Sequence, residues 1–320
     1  MKKERNSTVE MLRIVAMLLI VWFHYVGRGL GYFANTEPAL MGGGNLTVFT
    51  LFLLGRFGVP LFIFISGYYG MHFRSERLKD ILIQVALYVI AFYYVSCLFL
   101  HTFNPHLAIY QLFGITNVWF VCYYVVLYVI SDGINAVLDS FSKRTFTFVV
   151  LLLLYIAVGK WLVRENALTL FLMVEYYVIA RYVRKYGSPY TRLIKWAGVP
   201  ALLIYLAIQY VGYRTGHYET INPFMRSYYN PFLLVVAMSA VVAADGWKTS
   251  FPAINYAAGS VLAVYMLHEN AYAPALLNPL FDFQHFSIVR ALLLVLVIFV
   301  VCVAIDKIRL RATNKIKKPI

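Results

Sequence analysis

Arg13, His24, Arg56, Glu175, His268 and Glu269 are the ionisable side chains that remain inside long apolar runs once the loops are set aside. An ionisable group within a membrane span costs at least a few kcal/mol on insertion scales, so each is a candidate for chemistry. An imidazole titrates near neutral pH and can accept or pass on a proton. A guanidinium is a permanent cation suited to phosphate or a developing oxyanion, and a carboxylate can orient a histidine. A buried His or Arg can also do no more than tie helices together through hydrogen bonds. For Arg13 and Glu269, close to the ends of their runs, snorkelling to an interface is the corresponding structural role.

With about 1.5 Å of rise per residue, Arg13 falls about 4–5 Å above the cytoplasmic edge of the first run and His24 about 20 Å above it. The second run descends, which puts Arg56 at about 20 Å and Ser66 at about 5 Å, and His268 on an ascending run again comes to about 20 Å. Two layers result. The outer one holds His24, Arg56, His268, Glu269 and, nearer the midplane, Glu175. The inner one holds Arg13 and Ser66, with Arg74 and Arg77 just below. Arg56 stands in Gly55-Arg56-Phe57-Gly58-Val59-Pro60, where glycines allow close backbone or ligand approach and proline kinks a helix; Gly67 follows Ser66. Trp119 and Tyr123, at an i, i+4 spacing by the outer entrance, suit either stacking on a sugar or an aromatic belt.

The elements that must hold these residues follow from composition. Of 320 residues, 62% are apolar and only 13% charged, which no water-soluble surface can accommodate. The apolar runs are about 17–23 residues long, the length that spans a hydrocarbon core. The expected fold is therefore all-α and polytopic, one integral-membrane domain over residues 1–320 with about ten spans near 10–28, 47–70, 79–101, 117–138, 145–163, 167–185, 194–213, 229–244, 254–275 and 286–306. The first run is expected to stay in place and not be cleaved, since Arg13 and His24 interrupt it and no small-residue cleavage site follows. Ser7-Thr8-Val9-Glu10 reads as a capping box at its start. The net charge of +14 could suggest nucleic acid, but the basic residues sit in short clusters between spans, so no nucleic-acid partner is expected. Cys97, Cys122 and Cys302 lie in apolar runs without metal-ligand spacing, so neither a disulfide framework nor a metal is expected.

Twenty of the 28 Lys and Arg fall in segments that share one side if the N-terminus is inside: Lys2 to Arg5, Arg74 to Lys79, Lys143 and Arg144, Arg181 to Lys195, Lys248, and Lys307 to Lys318. Basic loops stay cytoplasmic, so both termini are expected inside. The opposite loops, with only Arg28, Lys160, Arg164, Arg214, Arg226 and Arg290, are rich in Gly, Asn, His and Tyr, as at Gly42-Gly43-Gly44 and Tyr213 to Asn230; the loop from His101 to Thr116 has no Lys or Arg.

Arg13, ten residues and then His24 on a first span, followed by Gly-Val-Pro-Leu-Phe-Ile-Phe-Ile-Ser-Gly-Tyr from Gly58 to Tyr68 on a second, resembles the membrane-bound acyltransferase-3 family of sugar O-acetyltransferases. The resemblance extends to Asn117-Val118-Trp119-Phe120 opening the fourth span and Val264-Tyr265-Met266-Leu267-His268 on the ninth. It implies transfer of an acyl group, usually acetyl, from cytoplasmic acyl-coenzyme A to a hydroxyl of a cell-envelope glycan or lipid-linked sugar, in the cell membrane and among its lipids. On that implication Arg13, Arg74 and Arg77 neutralise the phosphates of coenzyme A, and Ser66 and Gly67 permit its close approach. His24 is the general base, with His268 its rival, and Arg56 stabilises the oxyanion. Glu269 or Glu175 orients a histidine; Glu175, Trp119 and Tyr123 line the acceptor side. A transporter or flippase of a lipid-linked sugar is the alternative, because intramembrane His, Arg and Glu also build proton relays, although no inverted repeat favours it. A structural subunit of a polysaccharide-export complex is the third reading.

The charge asymmetry can be checked by reporter fusion or cysteine labelling at residue 320: an inside location is expected, and an outside one would overturn the topology and the depths built on it.

Overall fold

A computed structural model describes residues 6–30, 46–101, 103, 119–167, 169–269, 273–282 and 285–316. Lys2, Lys3, Arg5, Gly42 to Gly44, most of the 101–116 loop, Asn117, Val118, Lys317 and Lys318 lie outside these residues, as does the side chain of Trp119. Among the described residues all regular structure is helical: α1 Ser7–Gly29, α2 Leu46–Gly55, α3 Gly58–Tyr69, α4 Ser75–Leu100, α5 Trp119–Ser140, α6 Lys143–Leu162, α7 Leu170–Tyr186, α8 Thr191–Arg214, α9 Tyr218–Arg226, α10 Pro231–Asp245, α11 Pro252–Ala258, α12 Val261–His268, α13 Ala273–Phe281 and α14 Ile288–Ile316. A 3₁₀ turn, Ser188–Tyr190, precedes α8.

Seven of these segments are long and apolar enough to cross a membrane, with α2 and α3 counted as one, or eight if α9 and α10, bent by 43° at their break, cross together. The remaining expected runs are helical but short or broken. Run 167–185 becomes the 17-residue α7, and run 254–275 divides at Gly259 and Ser260 into α11 and α12. Non-helical backbone at membrane depth is tolerated where protein covers it. The outward faces of α4, α6 and α14 carry exposed Leu98, Phe99, Phe148, Leu151, Tyr155, Leu293 and Val300, the apolar exterior that lipid requires.

The two inner spans are set apart by burial: 83% of Val48–Tyr69 and 61% of Ser7–Gly29 are covered, against 17–35% for the others. Their contact depends on glycine. A Cβ at Gly55 would lie 2.7 Å from Phe23 Cβ, and one at Gly58 would lie 2.6 Å from the Ala16 carbonyl oxygen. In lipid, where apolar burial does not drive helices together, such close backbone approach supplies the packing. The break between α2 and α3 falls at Arg56 and Phe57, so these glycines bring Arg56 against α1. Gly67 makes the equivalent contact with α7, its Cα facing the Tyr177 backbone.

The start of α1 differs from the expected capping box. Asn6 is the N-cap, its amide oxygen accepting from Thr8 N at 3.1 Å. Ser7 is instead engaged with α11, its hydroxyl 2.9 Å from Asn255 Oδ1 and 2.6 Å from Phe251 N, while Glu10 turns to Arg13 at 2.7 Å. Asn caps about as well as Ser, which frees the serine for a tertiary contact.

At the same end of the bundle, Asp245 of α10 accepts from Tyr69 (2.7 Å), Tyr68 (3.2 Å) and Arg184 (2.6 Å), tying α3, α7 and α10 together. Because a Cβ at Gly58 would meet the α1 backbone at Ala16 and Ile20 as well as the Ile20 side chain, Gly58→Ala should destabilise the fold by about 1–3 kcal/mol, the usual cost of overpacking. This would be read as a lowered unfolding midpoint in detergent; an unchanged midpoint would show that α1 can shift.

Candidate active site

His24, Tyr25 and Arg28 lie within one turn of α1 and meet the C-terminal end of α12. His24 and Arg28, four residues apart, share a helical face. Tyr25 donates to the His268 carbonyl at 2.9 Å, satisfying one of the acceptors a helix leaves free at its end. Arg28 grips both oxygens of Glu269, one at 3.2 Å and the other more closely still. Glu269 in turn faces His24 Nδ1 at 2.8 Å.

The hydrogen-bond partners fix which nitrogen of each ring carries the proton. His268 Nδ1 lies 2.7 Å from the Val264 carbonyl, which can only accept, so the proton of neutral His268 is on Nδ1 and its Nε2 is an acceptor. His24 Nδ1 is 3.0 Å from that Nε2 as well as 2.8 Å from the Glu269 carboxylate, two acceptors, so His24 Nδ1 must carry the proton. The lone pair of neutral His24 is therefore on Nε2. His268 is fully buried with both nitrogens engaged, whereas the His24 side chain retains 14% exposure. Between the two, His24 is the ring built to accept a proton.

His24, His268 and Glu269 also have the composition of a metal site, their donor atoms lying within 4.8 Å of one another. The separations of 2.8 and 3.0 Å are hydrogen-bond distances, and Arg28 already neutralises the carboxylate, so we read the three as a hydrogen-bonded network.

Arg56 is 5% exposed and sits between two rings, 5.2 Å from the centroid of Phe23, the neighbour of His24, and 4.9 Å from that of Tyr228. Its Nη2 donates to Asn166 at 3.3 Å, and its Nε has no hydrogen-bond partner among the described residues. Glu175 is 1% exposed on α7, with Oε2 similarly unpartnered, and no hydrogen bond joins it to the His24 network among the described residues.

Arg13 is eleven residues below His24, about 16 Å along the helix. Two cavities flank it. One, of about 410 Å³, is lined by Glu10, Arg13, Arg77, Arg309, Phe62 and Tyr124 among others; the second, of about 620 Å³, by Arg13, Tyr69, Arg184, Asp245 and Lys248. Neither reaches the His24 network directly. Among the residues matched to the donor, Arg13 and Arg77 share the first cavity, while the Arg74 backbone N–H bonds Tyr128 and its side chain is not in either wall. Ser66 is buried, 3.1 Å from both the Phe62 carbonyl and the Tyr124 hydroxyl, so it stands behind the cavity wall. Gly67 permits close approach, but of α7. Tyr123 is half-buried on α5.

A family model described as an acyltransferase domain matches residues 6–307, nearly the whole chain. The chain belongs to the acyltransferase-3 family. Neither a curated protein nor a solved structure matches it. In the His24 network one ring nitrogen is held by a carboxylate, an arrangement that suits a histidine to accept a proton at the other.

Three residues of this acyltransferase-3 protein escaped the sequence reading. Arg28 was counted with an outer loop, though its i, i+4 relation to His24 was visible. Tyr25 was one aromatic among many, and Arg309 one base in a cytoplasmic cluster; their partners are distant in sequence and leave no local signal. If Glu269 supports His24 by charge, Glu269→Gln should keep the hydrogen bond yet lower acyl transfer by roughly 10²-fold or more, by weakening the base it serves. Retained activity in a correctly inserted variant would reduce Glu269 to a tether for Arg28.

Proposed function

We propose that this protein transfers an acyl group, typically acetyl, from cytoplasmic acyl-coenzyme A to a hydroxyl of a cell-envelope glycan or lipid-linked sugar. In this reading it sits in the cell membrane with both termini inside and about ten crossings, several of them made by broken helices. The observation that carries it is the tautomer chain from the Val264 carbonyl through His268 and Glu269 to His24, which leaves His24 Nε2 as a basic lone pair.

The donor enters from the end where Arg13, Arg77 and Arg309 line one cavity, three cations suited to the phosphates of coenzyme A. The pantetheine arm carries the thioester upward along α1. The acceptor hydroxyl approaches His24 from the opposite side, loses its proton to Nε2 and attacks the thioester carbonyl carbon. Glu269 stabilises the imidazolium, and Arg56, a cation with no carboxylate partner among the described residues, faces the negative charge on the carbonyl oxygen. Collapse expels the thiolate, which takes the proton back from His24.

His24→Ala should leave the protein inserted and able to bind acetyl-coenzyme A while lowering turnover by roughly 10²–10⁴-fold, the span of general-base contributions. His268→Ala, which removes an acceptor and not the base, should cost less. Near-normal transfer by inserted His24→Ala would sink the assignment and move the base to His268. Arg13→Ala and Arg77→Ala should chiefly raise the apparent KM for acetyl-coenzyme A, and a loss of kcat at unchanged KM would give these cations another role.

A further inference from the structure

Tyr265 stands one helical turn before His268 on α12, and its side chain is 1% exposed. Its hydroxyl has no hydrogen-bond partner among the described residues. A buried hydroxyl left in this state forfeits its hydration, so it is a group in need of an explanation. The ring's surroundings supply one. It meets the His268 ring edge-on, with centroids 5.7 Å apart at 85°, and touches Phe120 at 5.2 Å. Phe120 packs on Phe62 at 6.0 Å and on Tyr124 at 5.9 Å, and those two residues line the 410 Å³ cavity that holds Arg13, Arg77 and Arg309. Tyr265 thus closes a row of aromatic rings that begins at the cationic cavity and ends at the histidine pair.

We propose that the Tyr265 hydroxyl donates a hydrogen bond to the thioester carbonyl oxygen as that oxygen becomes an oxyanion. This rests on the acyl-transfer reading above and adds a catalytic residue to it. The acceptor oxygen forms a bond to the carbonyl carbon and gives its proton to His24 Nε2. The carbonyl π pair moves onto oxygen, where the Tyr265 O–H and Arg56 meet the charge. When the pair returns, the carbon–sulfur bond breaks, and the thiolate takes the proton from His24. The products are the O-acyl ester and free coenzyme A, and Tyr265 keeps its proton throughout. A donor with no ground-state partner among the described residues is well suited to this task, because no existing bond has to break when the oxyanion forms.

Tyr265→Phe tests this, since it deletes the hydroxyl alone. Native membranes containing wild-type or variant protein would be given radiolabelled acetyl-coenzyme A, with label in membrane glycan and thiol release both measured per unit of inserted protein. Turnover is expected to fall about 10²–10³-fold, as for loss of one oxyanion donor, with apparent KM for acetyl-coenzyme A little changed. The unfolding midpoint in detergent should be unchanged or raised, because an unpartnered buried hydroxyl contributes nothing to the fold. Turnover within about threefold of wild type would overturn the proposal, and so would a lowered midpoint or failure to fold, since the hydroxyl would then have a structural partner. Wild-type membranes that neither transfer label nor release thiol would overturn the acyl-transfer reading itself, and the proposal with it.

Discussion

The proton on His24 Nδ1, shared between the Glu269 carboxylate and His268 Nε2, is the interaction around which the outer half of the bundle is arranged. A carboxylate and two imidazoles inside an apolar bundle are tolerable only when each polar atom is engaged, because unpaired polar groups lose their hydration with nothing in return. The engagement here runs through the backbone. His268 is oriented by the Val264 carbonyl within its own helix, the end of that helix is bound by Tyr25, and Glu269 is held by Arg28. Because three of the contacting residues lie close together on α1, that helix holds the His268 end of α12, while the body of α12 also packs on α4 and α14. The breaks around α12 then have a reason. A continuous helix would carry the chain past the site, whereas an eight-residue helix ending at His268 presents that residue and Glu269 side by side.

On the acyl-transfer reading proposed above, chemistry and donor recognition lie apart along one helix. Arg13 with its two cavities and His24 with its network are about 16 Å apart on α1. On that reading coenzyme A, too anionic to cross the apolar bundle, stays at the cationic end while the acyl thioester on its flexible arm reaches His24. The rings of Phe62, Tyr124, Phe120 and Tyr265 occupy the interval. On the proposed reading, such a wall would keep water from competing with the acceptor hydroxyl for the thioester.

The sequence made the essential charges legible for a simple reason: in a chain this apolar, an ionisable residue inside a span cannot hide. His24, His268 and Glu269 were placed at one level by counting residues, and their side chains do converge. Helical rise carries no information about which faces meet, which is why the choice of orienting carboxylate between Glu269 and Glu175 needed coordinates. Arg28 closes the first run and reads as an outer-loop cation, because its partner Glu269 is distant in sequence and leaves no local signal. Gly67 illustrates the opposite error of inference: a glycine beside a serine reads equally well as room for a ligand or for a helix, and here the helix is α7. The seven long helices fall short of ten runs at α7, which is only 17 residues long, and at the α9–α10 pair and α11–α12, where Pro231, Pro252 and Gly259 interrupt the pattern that hydropathy alone averages over.

Arg56 shows how far the argument from cost can be carried. A cation is expensive at this depth, and the ordinary remedy is a carboxylate partner, as Arg28 has in Glu269. Among the described residues Arg56 has instead two aromatic faces, one amide oxygen and the nearby Tyr205 hydroxyl. Cation–π contacts and neutral hydrogen bonds offset only part of the desolvation, and the glycine contacts at Gly55 and Gly58 hold this segment against α1. Positive potential fixed in a low-dielectric site before any substrate arrives requires no reorganisation when negative charge appears there. On the proposed oxyanion role, a full counter-ion would cancel the positive potential that the site uses.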